Sequence, residues 1–290
     1  MAQLTRITFT VEEEQAELLA AFLSQHISHG WEENTGPNGT LVATVHLPIH
    51  DTTPQLIAEF KELFGEGMAY EDSIEEENWV ETWKEFFTPV QGGDHFYVLA
   101  PWMKKELETT PLIPILIEPK TAFGTGHHGS TSLCLDMISA LYTKGAISTS
   151  TSFLDLGTGS GILGIGCAKL GLKGVGLDLD PIAIANALEN RELNKVAPEL
   201  FTLDCGTQDD AKGPYDLVIA NILAQPLKDM APRILELLGS GSQRGHLILS
   251  GILETQAQDV ANVYTALGLG APEIRIKGEW ASLYFAPPSA

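Results

Sequence analysis

The sequence of 290 residues predicts an α/β protein in two unequal parts: a small acidic α+β domain, then a larger domain built on a parallel sheet. Two observations carry that prediction. From residue 96 onward short apolar runs alternate with helical runs, and one apolar run ends in a three-glycine turn that opens a helix. The first 90 residues look different, with 17 acidic side chains against Arg6, Lys61 and Lys84, a net −14 of the −21 carried by the whole chain.

In the first domain, residues 4–9 alternate apolar and polar positions as a strand does. Residues 11–27 follow with Leu18, Leu19, Phe22 and Leu23 at helical spacing. A turn at Gly36-Pro37-Asn38-Gly39 leads to a strand at 41–47, in which Leu41, Ala43, Val45 and Leu47 share one face. Residues 55–64 read as a second helix and 68–74 as a last strand, which closes an α+β domain over 1–76. Glu75-Glu76-Glu77-Asn78 then starts a connector helix, set at 77–92, with Trp79, Val80, Trp83, Phe86 and Phe87 on its apolar face. Trp79 and Trp83 are read as packing residues.

The second domain, 93–290, has strand-like runs at 96–100, 113–117, 153–156, 174–178, 216–220 and 247–250. Helical runs between them predict a parallel sheet. Residues 274–276 and 282–285, around Gly278-Glu279-Trp280, close the chain as an antiparallel pair.

The acidic charge argues against nucleic acid or an anionic membrane as a direct partner. Cys134, Cys167 and Cys205 form no C-x-x-C pair and are odd in number. They predict neither a disulfide framework nor a zinc site, and read as core residues in a reducing cytoplasm. The N-terminus MAQLTRITFT lacks a signal-peptide pattern, and no apolar run reaches the roughly 20 residues of a bilayer span.

The chemistry concentrates in Asp155-Leu156-Gly157-Thr158-Gly159-Ser160-Gly161. Glycines there let the backbone turn tightly and approach a ligand, with N–H groups at the helix start available to an anion. A dinucleotide fingerprint, G-x-G-x-x-G, needs its third glycine where Ile162 stands, and Asp155 ahead of the loop would repel a pyrophosphate while suiting a cationic ligand. Asp178, at the end of the next strand, is placed to accept both hydroxyls of a ribose. Loop, acid and second acid together point to S-adenosylmethionine. Asp180 before Pro181 reads as a helix N-cap, with a ligand role as the competing reading, and Asp204 is a candidate for the adenine amino group.

Further segments sharpen this reading. Ala122-Phe123-Gly124-Thr125-Gly126-His127-His128-Gly129-Ser130-Thr131 before the loop and Ile219-Ala220-Asn221-Ile222-Leu223-Ala224 after it resemble the PrmA family, the methyltransferases of large-subunit ribosomal protein eleven. The similarity extends to Trp79-Val80-Glu81-Thr82-Trp83, Leu249-Ser250-Gly251-Ile252-Leu253 and Gly278-Glu279-Trp280. The resemblance implies a class I, Rossmann-like methyltransferase domain behind a small α+β, ferredoxin-like recognition domain. It also implies methyl transfer from S-adenosylmethionine to lysine side chains and the terminal amine of that ribosomal protein. It carries cofactor contact to Phe123, Gly124, Thr131, Asp155, Gly157, Gly159, Gly161, Asp178 and Asn221, and catalysis to Asn221 and Thr125. Gly129 departs from the proline or glutamate common at its position in the family.

A lysine amine, with an ordinary pKa near 10.4, is neutral in only about one molecule in a thousand at neutral pH, so the site has to favour the neutral form. Desolvation does so, whereas a nearby carboxylate opposes it. Asn221, with its neutral amide oxygen, suits such an acceptor, although an Asn at a strand end can also simply cap the next helix. Ile222-Leu223-Ala224 stands where enzymes acting on planar nitrogens carry Pro-Pro-aromatic, which favours an aliphatic amine. Ile222, Leu223 and Trp280 are candidates for the substrate channel, Trp280 equally a plain sheet residue. His127 and His128 have no convergent partners at metal-ligand spacing, so no metal is expected, and loop packing or a proton-accepting His128 remain. The rival readings are a same-fold enzyme for another basic protein, and a non-catalytic S-adenosylmethionine-binding protein. The oligomeric state is left open.

Overall fold

The computed structural model describes residues 3–27, 31–36, 39–48, 53–65, 69–75, 88–118, 128–241 and 244–288. The chain divides into two compact units, Met1–Phe87 and Thr88–Ala290.

The first unit runs β1 (Gln3–Val11), α1 (Ala16–His26), β2 (Glu32–Thr35), β3 (Leu41–Pro48), α2 (Thr53–Phe64) and β4 (Ala69–Glu75). Its strands form one antiparallel sheet in the order β2-β3-β1-β4. The alternation seen in the sequence is the reason: Ile7, Phe9 and Val11 point to one face of β1 and are buried with Ala43 and Val45 of β3. The apolar stripes of α1 and α2 cover that face. Phe60 is the centre, its ring 4.6 Å from Phe9 and 5.9 Å from Phe22, and burying such a ring contributes about 2 kcal/mol. The sequence showed no strand at Glu32–Thr35, because all four side chains are exposed on an edge strand and leave no alternation.

In the second unit the sheet order is β10-β9-β8-β11-β12-β14-β13. The strands are β8 (Ser152–Leu156), β9 (Lys173–Asp178), β10 (Phe201–Cys205), β11 (Leu217–Asn221), β12 (His246–Leu253), β13 (Glu273–Lys277) and β14 (Trp280–Phe285). All pairings are parallel except those of β14, which runs antiparallel to both neighbours. The chain winds outward from β8 through β9 to β10, then returns to β11 on the other side of β8. A switch point therefore lies between the carboxyl ends of β8 and β11, where open α/β sheets bind their ligands.

Helices α4 (Gly129–Thr143) and α5 (Ile162–Lys169) cover one face of this sheet; α7 (Ala224–Asp229), α8 (Ala231–Leu237) and α9 (Glu254–Ala266) cover the other. Phe153 and Leu154 pack on opposite sides, as neighbouring strand residues must. Tyr264, fully buried, satisfies its hydroxyl by donating to the Leu227 carbonyl at 2.7 Å. The runs at 96–100 and 113–117 correct one expectation. They form β6 (Phe96–Leu99) and β7 (Ile113–Leu116), parallel to each other, but in a separate three-stranded sheet with β5 (Val90–Gly92). A short α3 (Lys104–Thr109) joins them, and their inner faces extend the core beneath α4 and α5. Of the connector helix, residues 77–87, with Trp79 and Trp83, lie outside the described residues, and Val90–Gly92 is strand.

Candidate active site

Three glycines shape the turn from β8 into α5. Gly157, Gly159 and Gly161 have φ of +67°, +55° and +79°, a region that other residues adopt at a cost of roughly 1–2 kcal/mol. A Cβ on Gly157 would also stand 2.5 Å from the Ile222 side chain. The turn is held from below. Gly157 and Thr158 donate their N–H groups to the Leu177 carbonyl at 2.8 and 3.0 Å, Gly161 donates to the Thr158 carbonyl at 2.8 Å, and Gly159 donates to Asp178 Oδ2 at 2.8 Å. These four N–H groups are thus taken up by the protein itself.

Asp155 explains how the loop stays in place. On β8 it points to the face that α5 covers, fully buried, and its Oδ2 accepts from Thr158 Oγ1 at 2.7 Å and from the Gly164 N–H at 3.1 Å. Burial pushes its carboxyl up to about 6, with the two hydrogen bonds opposing and the charge of Asp178 adding to the rise.

A cavity of about 580 Å³ opens over the switch point, within the range that holds a nucleoside-sized ligand. Its floor is Leu156, Gly157 and Gly159. Asp178 and Leu179 form one side, continued by Gly206, Thr207 and Gln208 beyond β10. Opposite stand Asn221, Ile222 and Leu223, then Gly251 on β12 and Trp280 on β14, with His128 and Thr131 at the start of α4. Asn221 Nδ2 donates to Thr131 Oγ1 at 3.2 Å, and its Oδ1 is buried without a partner. Gly251 has φ +79° and lies where the β12–β14 register shifts; a Cβ there would come within 2.5 Å of the Ile222 carbonyl oxygen. The His128 imidazole leans on Trp280, centroids 4.2 Å apart, with Nδ1 2.7 Å from Ser130 Oγ. Burial holds this imidazole below its ordinary value, against the raising effect of Glu279.

This arrangement fits S-adenosylmethionine. Asp178, at the carboxyl end of β9, and the unpartnered amide oxygen of Asn221, at the end of β11, stand on opposite sides of a mostly apolar cavity and can accept hydrogen bonds. The sequence pattern of the family described as ribosomal protein L11 methyltransferase (PrmA) matches residues 28–287. The chain belongs to the PrmA family. It is similar to the ribosomal protein L11 methyltransferase of Aeromonas hydrophila, 35% identical over 230 residues that cover 78% of this chain and 74% of the other. The Vibrio vulnificus protein of the same name is 33% identical over 260 residues, covering 87% and 84%. A solved ribosomal protein L11 methylase from Lactobacillus delbrueckii subsp. bulgaricus superposes with a TM-score of 0.58 at 26% identity, over 70% of this chain and all of that one. The second unit accordingly has the class I methyltransferase fold.

Of the PrmA positions read from the sequence, Thr131, Gly157, Gly159, Asp178 and Asn221 meet in the cavity, and Ile222, Leu223 and Trp280 line it. Trp280 is both sheet and wall, pairing with Leu253 and Lys277 at the start of β14. Asp155 and Gly161 stand behind the lining, holding the loop and starting α5. Phe123, Gly124 and Thr125 lie outside the described residues. Asp180 caps its helix α6 (Pro181–Leu193), accepting from the Ile182 N–H at 2.8 Å, whereas Asp204 is exposed on β10 and the next turn lines the cavity instead. Cys134 and Cys167 are buried, but Cys205 is exposed at the sheet edge, a correction to its reading as core. Among the described residues no cluster is placed to hold a metal and no helix is long and apolar enough to cross a membrane.

Sequence reasoning missed a polar ladder on α6. Asn190 donates to the Ser160 carbonyl at 2.9 Å and accepts from the Glu118 N–H at 3.0 Å. One turn on, Asn194 accepts from the Leu116 N–H at 2.8 Å and donates back to the Leu116 carbonyl at 2.6 Å. The signal was present as asparagines at 186, 190 and 194, one helix face of a type that helices disfavour unless each amide has a partner.

Proposed function

We propose that this protein transfers methyl groups from S-adenosylmethionine to amines of large-subunit ribosomal protein eleven, at lysine side chains and the terminal amine, in the cytoplasm. Residues 1–76, read as a ferredoxin-like domain from their element order, recognise the basic substrate by their acidic charge. The names of the relatives support the substrate, and the cavity supports the chemistry. Bound in the cavity, S-adenosylmethionine supplies an electrophilic methyl group on a sulfonium. Asp178 would take the ribose hydroxyls, Leu179 and the Gly206–Thr207–Gln208 turn would flank the base, and the wall of Asn221 and Trp280 would face the acceptor.

The observation that carries the reading is the buried, unpartnered Oδ1 of Asn221. An acceptor amine that donates one N–H to this oxygen is held with its lone pair fixed, and the amide adds no full charge to raise the amine's affinity for a proton. Ile222 beside it is apolar and partly buried, and the desolvation it would impose lowers that affinity. Intact-mass spectrometry of the ribosomal protein after incubation with enzyme and S-adenosylmethionine tests this. Successive methyl increments with the wild type, and their loss with Asn221→Ala while S-adenosylhomocysteine still binds, are expected. No increment from a wild type that binds S-adenosylhomocysteine would refute the substrate and direct the search to other basic proteins.

A further inference from the structure

The seven-stranded sheet ends in two edge strands, β10 and β13. β10 exposes the polar side chains of Thr202 and Asp204, and the Arg191 guanidinium donates to its Phe201 carbonyl at 3.1 Å. β13 is different. The N–H and C=O groups that alternate residues of Glu273–Lys277 turn away from β14 pair with no strand among the described residues, and Ile274 and Ile276 are exposed on one face. Lysine and arginine commonly protect such an edge. Here both are turned to the other face and held: Lys277 donates its ammonium to Ser132 Oγ, and the Arg275 guanidinium bonds Glu273 Oε1 at 2.7 and 2.8 Å. An open, partly apolar edge is a template for an added strand. We infer that β13 docks the protein substrate: an extended segment of the basic ribosomal protein, next to the target amine, joins the sheet along Glu273–Lys277. The inference rests on the functional reading above and adds the surface by which the second unit holds its substrate.

Two observations favour this occupant. The first is continuity with the cavity. Lys277 pairs with Trp280, which lines the cavity beside Asn221, so a strand about 5 Å beyond β13 ends level with that wall and leads its next residues toward the acceptor position. The second is charge. A cavity beside β13, on the face that α4 covers, is lined by Asp94, Asp136 and Arg275. The Arg275 guanidinium is already bonded to Glu273, and Glu279 is exposed on the turn at the other end of the strand. Alternate side chains of an added strand would meet these acids, which suits a basic segment. A second β13, laid antiparallel about a two-fold axis through the middle of the strand, would instead set Arg275 opposite its copy, a like-charge pair. Main-chain pairing holds an extended backbone whatever its sequence, so one edge can present several lysines and a chain terminus to one cavity.

Hydrogen–deuterium exchange of the full-length enzyme with S-adenosylhomocysteine, in the presence and absence of the ribosomal protein, tests the edge. KM and kcat of wild type, Ile276→Lys and Asp94→Lys test its side chains. Amides within Glu273–Lys277 should exchange at least about tenfold more slowly in the complex, as new ladder bonds require. Ile276→Lys, which gives the edge an outward charge, and Asp94→Lys should each raise KM on the order of tenfold. The loss should fall on KM rather than kcat, with S-adenosylhomocysteine affinity within about threefold of wild type. Turnover of the ribosomal protein with no added protection at β13 overturns the inference, whether or not the variants fold, and so does wild-type KM in both folded variants. Protection already present in the enzyme alone, with a dimer mass in ultracentrifugation, assigns the edge to a second copy and overturns it too. A wild type that neither binds nor methylates the ribosomal protein refutes the functional reading, and the inference falls with it, so the two failures are distinct.

Discussion

Gly251→Ala is the sharpest probe of the switch-point geometry. The new methyl would stand 2.5 Å from the Ile222 carbonyl oxygen and 2.9 Å from its carbon and nitrogen. All three are backbone atoms, so no side-chain rotation relieves the contact. Ordinary separation needs a shift of about 0.7 Å in a segment whose N–H already donates to the Ser250 carbonyl at 3.1 Å. The φ of +79° adds roughly 1 kcal/mol for any residue with a Cβ, and overpacking of this kind costs 1–3 kcal/mol, giving a total of about 3 kcal/mol. For a unit of about 200 residues that lowers Tm by about 6–12 °C. Because Ile222 follows Asn221, the displaced wall should also weaken S-adenosylhomocysteine more than about tenfold, or 1.4 kcal/mol. Differential scanning fluorimetry and calorimetric titration measure both. An alanine variant with wild-type Tm and affinity would refute the claim that this glycine is fixed by the Ile222 backbone.

Three further outcomes are expected. Asp155 has its folded pKa raised to about 6 from 3.8 by burial, so the folded state holds an extra proton between those values and stability falls as pH rises through that window, by on the order of 3 kcal/mol. Asp155→Asn should abolish that slope in denaturant midpoints taken between about pH 4 and pH 6.5, and an unchanged slope would remove Asp155 as its source. Asn190→Leu removes the amide that bonds the Glu118 N–H and the Ser160 carbonyl and should cost about 2–4 kcal/mol in urea unfolding; a loss under 1 kcal/mol would mean water replaces the amide. Gly129→Ala places a methyl 2.9 Å from Trp280 Cδ1 and 3.2 Å from the Lys277 carbonyl. Turnover of the protein substrate should fall about fivefold, with S-adenosylhomocysteine affinity unchanged by calorimetry, and equal losses in both would place Trp280 with the cofactor.

What the sequence disclosed follows from periodicity. The strands at β8, β9 and β11 are apolar runs ending in Gly157, Asp178 and Asn221, so both the sheet and the ligand edge could be read directly. Glu32–Thr35 could not, because an exposed edge strand has no buried face to imprint on the sequence. Nor could the separate sheet of β5, β6 and β7, since an apolar run specifies burial and not its neighbour. In the site, residue types revealed roles but not directions. Asp155 was seen as an acid before a loop, yet only the fold shows it turned inward onto Thr158 and Gly164. Gly206, Thr207 and Gln208 carry no chemical signature and line the cavity through the position of their backbone.

The Asn190 amide has one end on the glycine loop and the other on the backbone at Glu118, 72 positions away in sequence. A single rigid amide plane cannot rotate to improve one bond without disturbing the other. Any tightening of the loop at Ser160 is therefore transmitted as strain to the Glu118 N–H, and protection of that one amide against hydrogen exchange becomes a gauge, read outside the cavity, of how firmly the loop is held.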